Sequence, residues 1–356
     1  AGSLEAVQRR KLKALLRGHR STGGANAGVD SWEAFQRQLP VTGFDDWRAD
    51  IEKWRDTGQA LVASPLMRFQ PTSGSTSAIK WIPYTRAFLG ELDGAIAPWL
   101  SDLYRQYPDL ARGTHYWSMS WLPTDMRASQ GADFNDDLKL LSFGKRLLAS
   151  LTQSVPDAVS LAPTSASASF ATLAYLVADR RLAMLSVWSP TFALTQHDQL
   201  RAWRDELAAV LATGDWGERR EQLGFLPCPR QQRQARILSA WDGNSLPSLL
   251  ARLWPRMALV SAWDTAAAAP WAGKLAGRFA NAGFQGKGLW GMQVAPLIST
   301  GSGLLRYRMG DCLQVGAPCD GVPSLRFLGR ENGVDLVGEK MSSAVAQQVL
   351  EAVSRS

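Results

Sequence analysis

A run of hydroxyl side chains closed by a lysine, Thr72-Ser-Gly-Ser-Thr-Ser-Ala-Ile-Lys80, is the part of this sequence best suited to bind phosphate groups. Its small side chains let backbone N–H groups converge on an anion, the hydroxyls donate further hydrogen bonds, and Lys80 adds a positive charge. The run lacks the G-x-x-x-x-G-K-[ST] pattern of a Walker P-loop. It therefore predicts a loop able to hold a triphosphate, and an ordinary Ser/Thr-rich surface turn is the alternative.

The segments on either side of this loop must position it. Residues 66–70 predict a strand, whereas residues 81–85 contain Pro83 and do not fit a core helix. A long amphipathic helix is predicted over residues 85–107, with a strand at 115–121 and a loop at 123–137. Further helices are predicted over residues 3–17, 30–39, 45–54, 138–153 and 165–178. The second of these has a capping-box-like start in Asp30-Ser-Trp-Glu33.

The second half of the chain alternates between strands and helices. Buried strands are predicted over residues 181–188, 257–263 and 282–285, with helices over residues 199–211 and 265–280. Such an alternation is typical of a parallel α/β sheet, whose functional residues lie at the carboxyl ends of the strands. The sequence therefore predicts an α/β fold.

Composition and charge narrow the class of protein. The 356 residues allow one large domain with an appendage, or two domains, and 46% hydrophobic with 20% charged residues is a globular composition. The net charge of +7 is spread widely, which suits an anionic small molecule and does not form a nucleic-acid footprint. No apolar run reaches membrane length. We therefore expect neither a nucleic-acid nor a membrane partner.

Cysteine and histidine positions bear on redox compartment and metal binding. Cys228, Cys312 and Cys319 form no C-x-x-C pair and are odd in number, which argues against a disulfide framework and a zinc site. The three histidines are far apart in the sequence. We predict no metal-ligating side chains and a cytoplasmic location.

Three later motifs, together with the hydroxyl-rich loop, carry a family resemblance. They are Gly303-Leu-Leu-Arg-Tyr-Arg-Met-Gly-Asp311, Leu325-Arg-Phe-Leu-Gly-Arg330 and Val334-Asp-Leu-Val-Gly-Glu-Lys340. Their order resembles that of the acyl-adenylate-forming superfamily. Within it, residues 40–46 (PVTGFDD), 185–191 (LSVWSPT) and 253–263 resemble the acyl-acid amido synthetase (Gretchen Hagen, auxin-responsive) family.

The resemblance implies an architecture and a reaction. It implies a large adenylate-forming N-terminal domain over residues 1–330, with mostly parallel sheets flanked by helices. Residues 331–356 would be the hinge and the start of a small C-terminal domain that is largely absent from the chain. The implied reaction activates a carboxylic acid with ATP and Mg²⁺ as an acyl adenylate, and then passes the acyl group to an amine such as an amino acid.

The resemblance also implies roles for individual residues. Catalytic roles fall to Thr76, Lys80 and Arg330. Asp311 would accept hydrogen bonds from the ribose hydroxyls, as a strand-end carboxylate can. Residues that would contact ATP or AMP are Thr72, Ser73, Gly74, Ser75, Thr76, Lys80, Gly286, Gly288, Tyr307, Asp311 and Arg330. Aromatic candidates for the acyl pocket are Trp117, Trp188, Phe192 and Trp263, although core packing is the usual role of such residues.

The sequence departs from the family pattern at one junction. Family members carry a Y-G-x-T-E-like element after the strand at 282–285, whereas here Gly288-Leu-Trp290 runs directly into Gly291. The segment that would carry this element is either deleted from the protein or present in the protein and not represented in this chain. We favour the latter because the sequence on both sides resembles intact family segments. A peptide-bond distance of ~1.33 Å between the Trp290 carbonyl carbon and the Gly291 nitrogen would favour deletion.

Two alternatives to an amide-forming ligase remain at this point. One is an adenylating enzyme that passes the acyl group to a thiol such as coenzyme A. The other is a nucleotide- or acid-binding relative that has lost turnover, which the departure at Trp290 and Gly291 would allow.

Overall fold

The computed structural model describes residues 3–20, 29, 31–72, 80–118, 121, 152–265, 268–287, 292–294, 296–319, 322–330, 333–336 and 339–342. The chain divides into two compact units. The discontinuous unit comprises Ala1–Pro98 and Gly288–Ser356, and the central unit comprises Trp99–Lys287.

The described elements are numbered in chain order. The helices are α1 (Leu4–Arg20), α2 (Trp32–Gln38), α3 (Phe44–Thr57), α4 (Arg86–Gln106), α5 (Ser165–Ala178), α6 (Pro190–Ala202), α7 (Arg204–Thr213), α8 (Arg220–Leu223), α9 (Gln232–Ser239), α10 (Leu246–Leu253) and α11 (Ala269–Gly277). The strands are β1 (Leu66–Thr72), β2 (Lys80–Thr85), β3 (Thr114–Trp117), β4 (Leu182–Ser186), β5 (Leu259–Ala262), β6 (Gly283–Gly286), β7 (Met292–Val294), β8 (Leu297–Ile298), β9 (Tyr307–Arg308), β10 (Asp311–Cys319), β11 (Val322–Arg330), β12 (Gly333–Leu336) and β13 (Glu339–Ser342). None of the helices in the described ranges combines the length and apolar composition that a bilayer span requires.

The discontinuous unit is built from helices and small antiparallel sheets. Strands β1 and β2 form a hairpin, β10 pairs with β11 on one side and β7 on the other, and β8 pairs with β9. Strands β12 and β13 form a further two-stranded sheet. Helix α1 buries Leu12 and Leu16, which lie four residues apart on one face, in a cluster with Phe35 of α2. This burial fixes α1 against α2.

Local sequence signals explain where the early helices begin and end. Ser31 caps α2 by accepting a hydrogen bond from the Ala34 amide at 3.1 Å, so the cap lies one residue after the expected Asp30. The Gly43 amide that precedes α3 donates to Asp46 at 2.7 Å. Helix α3 ends at Gly58, whose φ of 76° lies in the left-handed region that glycine adopts without strain.

The central unit contains the predicted parallel sheet, in the order β3-β4-β5-β6. All three neighbouring pairs are parallel, and Ser186 of β4 aligns with Ser261 of β5, which aligns with Gln285 of β6. Every residue of β4 and β5 is buried. Such uniform burial is expected for parallel strands that helices cover on both faces. The α/β fold class predicted from the sequence is confirmed.

Helices cover the two faces of this sheet with separate apolar clusters. On one face, Leu103 of α4 packs with Met184 and Leu259. On the other face, Leu185 and Val260 join the larger core that is formed by helices α5 to α11. The sheet is therefore rigidly held, and its strand ends offer fixed positions for side chains.

The elements predicted in the central unit occur within about four residues of their expected bounds, except in two places. The strand expected at 115–121 ends at Trp117, and the helix expected at 199–211 is divided into α6 and α7. The division occurs at Trp203, which has a φ of −100° and a ψ of 16°. The helix predicted over residues 165–178 has the expected bounds. Most of the loop and helix predicted over residues 123–153 lies outside the described residues.

Candidate active site

The ends of the hydroxyl-rich loop are held by the β1–β2 hairpin. Thr72, the last residue of β1, is the cross-strand partner of Lys80, the first residue of β2. The residues between them, including the predicted phosphate contacts Ser73, Gly74, Ser75 and Thr76, lie outside the described residues. The strand predicted at 66–70 is confirmed, and the Pro-containing segment after the loop is the second strand of the hairpin.

Lys80 lies beside an aromatic cluster that also includes Tyr307. Its Nζ is 5.7 Å from the centre of the Phe44 ring. Phe44 is buried with Ile51 and Leu304, and Tyr307 packs against the same cluster. The discontinuous unit therefore brings Lys80 and Tyr307 to one aromatic cluster. Both residues are predicted to contact the nucleotide.

Thr42 holds the Tyr307 segment in place. Its amide donates to the Arg306 carbonyl at 3.1 Å, and its carbonyl accepts from the Arg308 amide at 2.8 Å. Its hydroxyl donates to the Leu305 carbonyl at 2.8 Å and accepts from Trp47 Nε1 at 2.8 Å. The PVTGFDD segment that contains Thr42 is therefore a support for the Tyr307 strand, a role that sequence reasoning missed.

Arg306 makes the turn that presents Tyr307 and Asp311. Its φ of 46° lies in the left-handed region, which costs free energy for a non-glycine residue. Its amide donates to Ser299 Oγ at 3.0 Å, and its guanidinium donates to the carbonyls of Gln36, at 2.7 Å, and Leu39 at the end of α2. These contacts hold the turn in a conformation that its sequence does not favour.

Asp311 and Arg330 are neighbours across two strands. Asp311 begins β10, Arg330 ends β11, and the two residues are cross-strand partners in the antiparallel pair. Gly310, directly before Asp311, has a φ of 74° that suits glycine. The pairing of β10 with β11 thus places Asp311 and Arg330 opposite each other, although they are 19 positions apart in the sequence. Both are predicted to contact the nucleotide.

The other predicted residues lie at the carboxyl edge of the parallel sheet in the central unit. Trp117 ends β3, Trp188 follows β4, Trp263 follows β5 and Gly286 ends β6. Trp188 and Trp263 meet edge to face, with ring centres 6.1 Å apart, and the Trp263 amide donates to the Trp188 carbonyl at 3.0 Å. Gly288 lies outside the described residues.

The four aromatic candidates differ in exposure and packing. Trp188 is 61% exposed and Phe192 is 37% exposed. Trp117 instead packs against the core cluster of α4 and contacts Trp99, with ring centres 5.8 Å apart. A large exposed tryptophan beside a second ring can bind an apolar molecule, so Trp188 and Trp263 are the better placed pair for a pocket.

Gly286 is required by a neighbouring carboxylate. A Cβ at this position would lie 1.8 Å from Oδ2 and 2.1 Å from Cγ of Asp264. The other carboxylate oxygen of Asp264 is buried and has no hydrogen-bond partner among the residues that the structure describes. Close packing against Asp264 is therefore sufficient to explain the glycine, and the predicted approach to adenine stays a prediction.

Lys287, directly after β6, is the residue at this edge that sequence reasoning missed. Its Nζ donates to Ser186 Oγ at 3.0 Å and to the Val187 carbonyl at 2.8 Å. Burial lowers the pKa of Lys287 to about 8. The only signal in the sequence is its position between Gly286 and Gly288 after a strand, which indicates a strand end and gives no sign of burial.

A groove elsewhere in the central unit lies away from these strand ends. It has a volume of about 470 Å³ between α7 and α9, and its lining includes Ala208, Ala212 and Ala235. Its polar lining residues, Asp205, Gln232, Arg236 and Ser239, belong to none of the motifs of the sequence analysis. The strand ends remain the better candidate site because they hold polar and aromatic groups on a rigid sheet.

Comparison with known proteins adds two family matches. Residues 2–282 match the model described as GH3 family N-terminal domain, and residues 289–330 match the GH3 family central domain. Residues 283–288, between the two matches, lie just before Trp290 and Gly291. Trp290 and Gly291 lie outside the described residues, so the C–N distance between them stays untested.

Solved structures with the same fold were found as well. AtGH3.15 acyl acid amido synthetase in complex with 2,4-DB superposes with a TM-score of 0.77 at 17% identity, covering 99% of this chain and 72% of the other. A second structure, GH3.15 acyl acid amido synthetase, gives a TM-score of 0.70 at 18% identity, covering 97% and 71%. No curated protein matches the sequence. At these identities the superpositions establish the fold.

Proposed function

This chain belongs to the GH3 family, and we propose that it is a ligase that joins a carboxylic acid to an amine through an acyl adenylate. The observation that carries the proposal is the family match over residues 2–282 and 289–330. The structural neighbours are acyl acid amido synthetases, which supports amide formation over the thioester alternative. ATP and an amino acid are the co-substrates that we assign.

The proposed reaction has two steps. A carboxylate oxygen of the acid attacks the α-phosphorus of ATP, a P–O bond forms, and pyrophosphate leaves with the electrons of the broken bond. The amine then attacks the acyl carbon, AMP leaves, and the amine loses a proton. The protein contributes mainly by positioning the reactants and by stabilising charge on the phosphates.

The hairpin loop is assigned to the triphosphate. Lys80, fixed at the start of β2 beside Phe44, would pair with a phosphate, while Thr76 and the neighbouring hydroxyls and amides donate hydrogen bonds. Thr72 anchors the other end of the loop. Because the loop joins two paired strands, its two ends cannot separate when ATP binds.

Asp311 and Arg330 are assigned to the ribose and the phosphates. The carboxylate of Asp311 can accept hydrogen bonds from the two ribose hydroxyls. Arg330, its cross-strand partner, would reach a ribose or phosphate oxygen. Tyr307 would pack near the nucleotide from the cluster that it shares with Phe44.

We assign Mg²⁺ as the ion that binds together with ATP. This ion keeps several waters and binds through substrate phosphates more than through a protein cage. That the ion has no protein ligand stays a prediction from the sequence. Bound with ATP, it would neutralise phosphate charge during the first step.

The domain bounds and the cellular location are further proposals from the sequence. We propose that residues 1–330 act together as the adenylate-forming domain and that the hinge follows Arg330. The cytoplasmic location also stays a prediction.

Acid-dependent exchange of labelled pyrophosphate into ATP tests the first step directly. We expect exchange with one or more members of a panel of aryl and alkyl carboxylates, and formation of a hydroxamate or an amino-acid amide when hydroxylamine or amino acids are added. Exchange without amide, but with product formed from coenzyme A, would support the thioester ligase. An inactive chain that still binds ATP would support the non-catalytic alternative.

A further inference from the structure

Lys287 carries its ammonium group into the carboxyl edge of the parallel sheet. The Nζ donates to Ser186 Oγ and the Val187 carbonyl, and the Lys287 amide donates to the Ala262 carbonyl at 2.9 Å. Ser186 is only 1% exposed. The lysine is therefore fixed at both its backbone and its charged end.

This ammonium group has no counter-ion within the described part of the chain. Among the described residues Lys287 forms no salt bridge, and burial is the cause that lowers its pKa. An ammonium has three donors, of which two are directed at neutral oxygens. A partly buried charge without a counter-ion is costly, so a site that retains one is suited to receive an anion.

Ionisable side chains occur on the neighbouring elements, but none of those that the structure describes forms an ion pair with the Lys287 ammonium. Asp264, after β5, packs against Gly286, and Tyr107, after α4, packs against Gly283. His115 of β3 bonds through Nε2 to the Leu110 carbonyl at 3.0 Å. The charge on Lys287 is therefore left for a ligand.

The aromatic residues beside Lys287 indicate what kind of anion it would receive. The Nζ lies 4.9 Å from the centre of the Trp188 ring. Trp188 is 61% exposed, and its edge-to-face contact with Trp263 holds it in position. A cation directly beside an exposed indole is complementary to a molecule with a carboxylate at one end and an apolar body.

We propose that Lys287 binds the carboxylate of the acid substrate while Trp188 and Trp263 contact its apolar body. This inference rests on the proposed ligase function and adds a specificity-determining residue to it. Lys287 would select acids with an aryl or alkyl body and would hold the carboxylate without forming a covalent bond. A phosphate of ATP shares the same anionic chemistry, and the experiment distinguishes the two.

Binding without ATP tests the proposal on the full chain. The probes are benzoate, 4-phenylbutyrate and octanoate, with 4-phenylbutanol as the uncharged match, and isothermal calorimetry gives Kd. We expect the wild type to bind at least one acid, and Lys287→Met to bind it roughly thirtyfold more weakly or worse, because one partner of a desolvated ion pair is removed. The Kd for ATP should be unchanged.

Lys274→Met is the matched control. Lys274 also lies over a tryptophan, with Nζ 4.3 Å from the Trp271 ring centre, but it is exposed on α11. Its replacement should leave the Kd for every probe unchanged. If Lys287→Met does not fold, Trp188→Ala, at an exposed position, should weaken both 4-phenylbutyrate and 4-phenylbutanol.

The pH dependence in the wild type gives an independent readout. Because the pKa of Lys287 is about 8, acid affinity should fall as pH rises above that value, and Lys287→Met should lose this dependence. Three results would overturn the inference: the wild type binds none of the three acids, Lys287→Met binds the acids as tightly as the wild type, or Lys287→Met loses affinity for ATP and keeps its affinity for the acids.

The outcomes also separate this inference from the proposed function. Amide formation by Lys287→Met with the KM for acid of the wild type would reject the role of Lys287 and leave the ligase standing. Acid binding that depends on Lys287, without pyrophosphate exchange, would support the carboxylate-binding role of Lys287 and reject the ligase function.

Discussion

The two units hold their candidate site residues in different ways. In the discontinuous unit, the residues lie on small antiparallel sheets and on a turn that Thr42 and Arg306 hold by hydrogen bonds. In the central unit, they lie at the ends of a parallel sheet that is covered on both faces. The first arrangement depends on polar contacts to backbone carbonyls, whereas the second depends on apolar packing.

This difference relates to the chemistry assigned to each unit. The hairpin region presents hydroxyls, a lysine and a carboxylate, which suit a nucleotide. The sheet edge presents Lys287 beside exposed Trp188, which suits an amphipathic anion. Substitutions in the two regions should therefore affect different substrates, and this contrast can be tested.

The largest expected effect is on the triphosphate loop. Lys80→Ala or Thr76→Ala should lower pyrophosphate-exchange rates about 10²–10³-fold, because each removes a donor to the phosphates as they change charge. Lys11→Ala and Lys13→Ala, on the exposed face of α1, serve as controls and should leave the rate unchanged. Equal losses in both pairs would show that the loop has no special role.

A smaller effect is expected from the ribose contact. Asp311→Asn should raise the KM for ATP about 10- to 100-fold, since hydrogen bonds to a charged acceptor contribute about 1.5–3 kcal/mol. The KM for the acid should remain unchanged, in contrast to Lys287→Met. Asp50→Asn, at an exposed position of α3, is the control. A rise in the KM for acid with Asp311→Asn would contradict the division of substrates between the two regions.

Gly286 tests whether the sheet edge is governed by packing. Gly286→Ala should lower the free energy of unfolding by about 1–3 kcal/mol, because the new methyl group would overlap the Asp264 carboxylate. In the double variant Gly286→Ala/Asp264→Ala this loss should be largely restored, as urea unfolding would show. A restored fold with a raised KM for ATP would instead reveal a direct nucleotide contact at Gly286.

Acid pH should weaken the central unit through His197. Its ring is buried between Trp254 and Phe279, and burial followed by the charge of Arg278 lowers the pKa of His197 to about 3. Unfolded histidine binds a proton below a pKa of about 6.5, so stability is complete above that pH and decreases as pH falls toward 3. The loss should be about 2 kcal/mol at about pH 5.

Urea unfolding at neutral pH and near pH 5 would measure this slope. His197→Gln should be less stable at both values but should show a smaller decrease with acid. An unchanged slope would show that His197 is not buried as a neutral ring.

The helix over residues 165–178 and the alternating strands of the central unit could be predicted because burial leaves a clear pattern in the residue order. The division of the helix at Trp203 could not, because its apolar periodicity continues across the break. The phosphate loop and the Asp311 motif were recognisable as compact runs of chemically suited residues. Their roles in binding stay proposals, whereas family membership is established by the match along the chain.

By itself, the sequence determined the family, the α/β class and the residue types available for nucleotide chemistry, since each is written in local runs. Only the tertiary structure decided which distant residues meet. Lys287 contacts Ser186 across 101 positions, and Thr42 contacts Leu305 across 263. A lysine after a strand is expected to be exposed, and only the packing of neighbouring strands partly buries its charge and leaves it without a counter-ion among the described residues. Burial of this kind depends on the whole fold, so no local pattern encodes it.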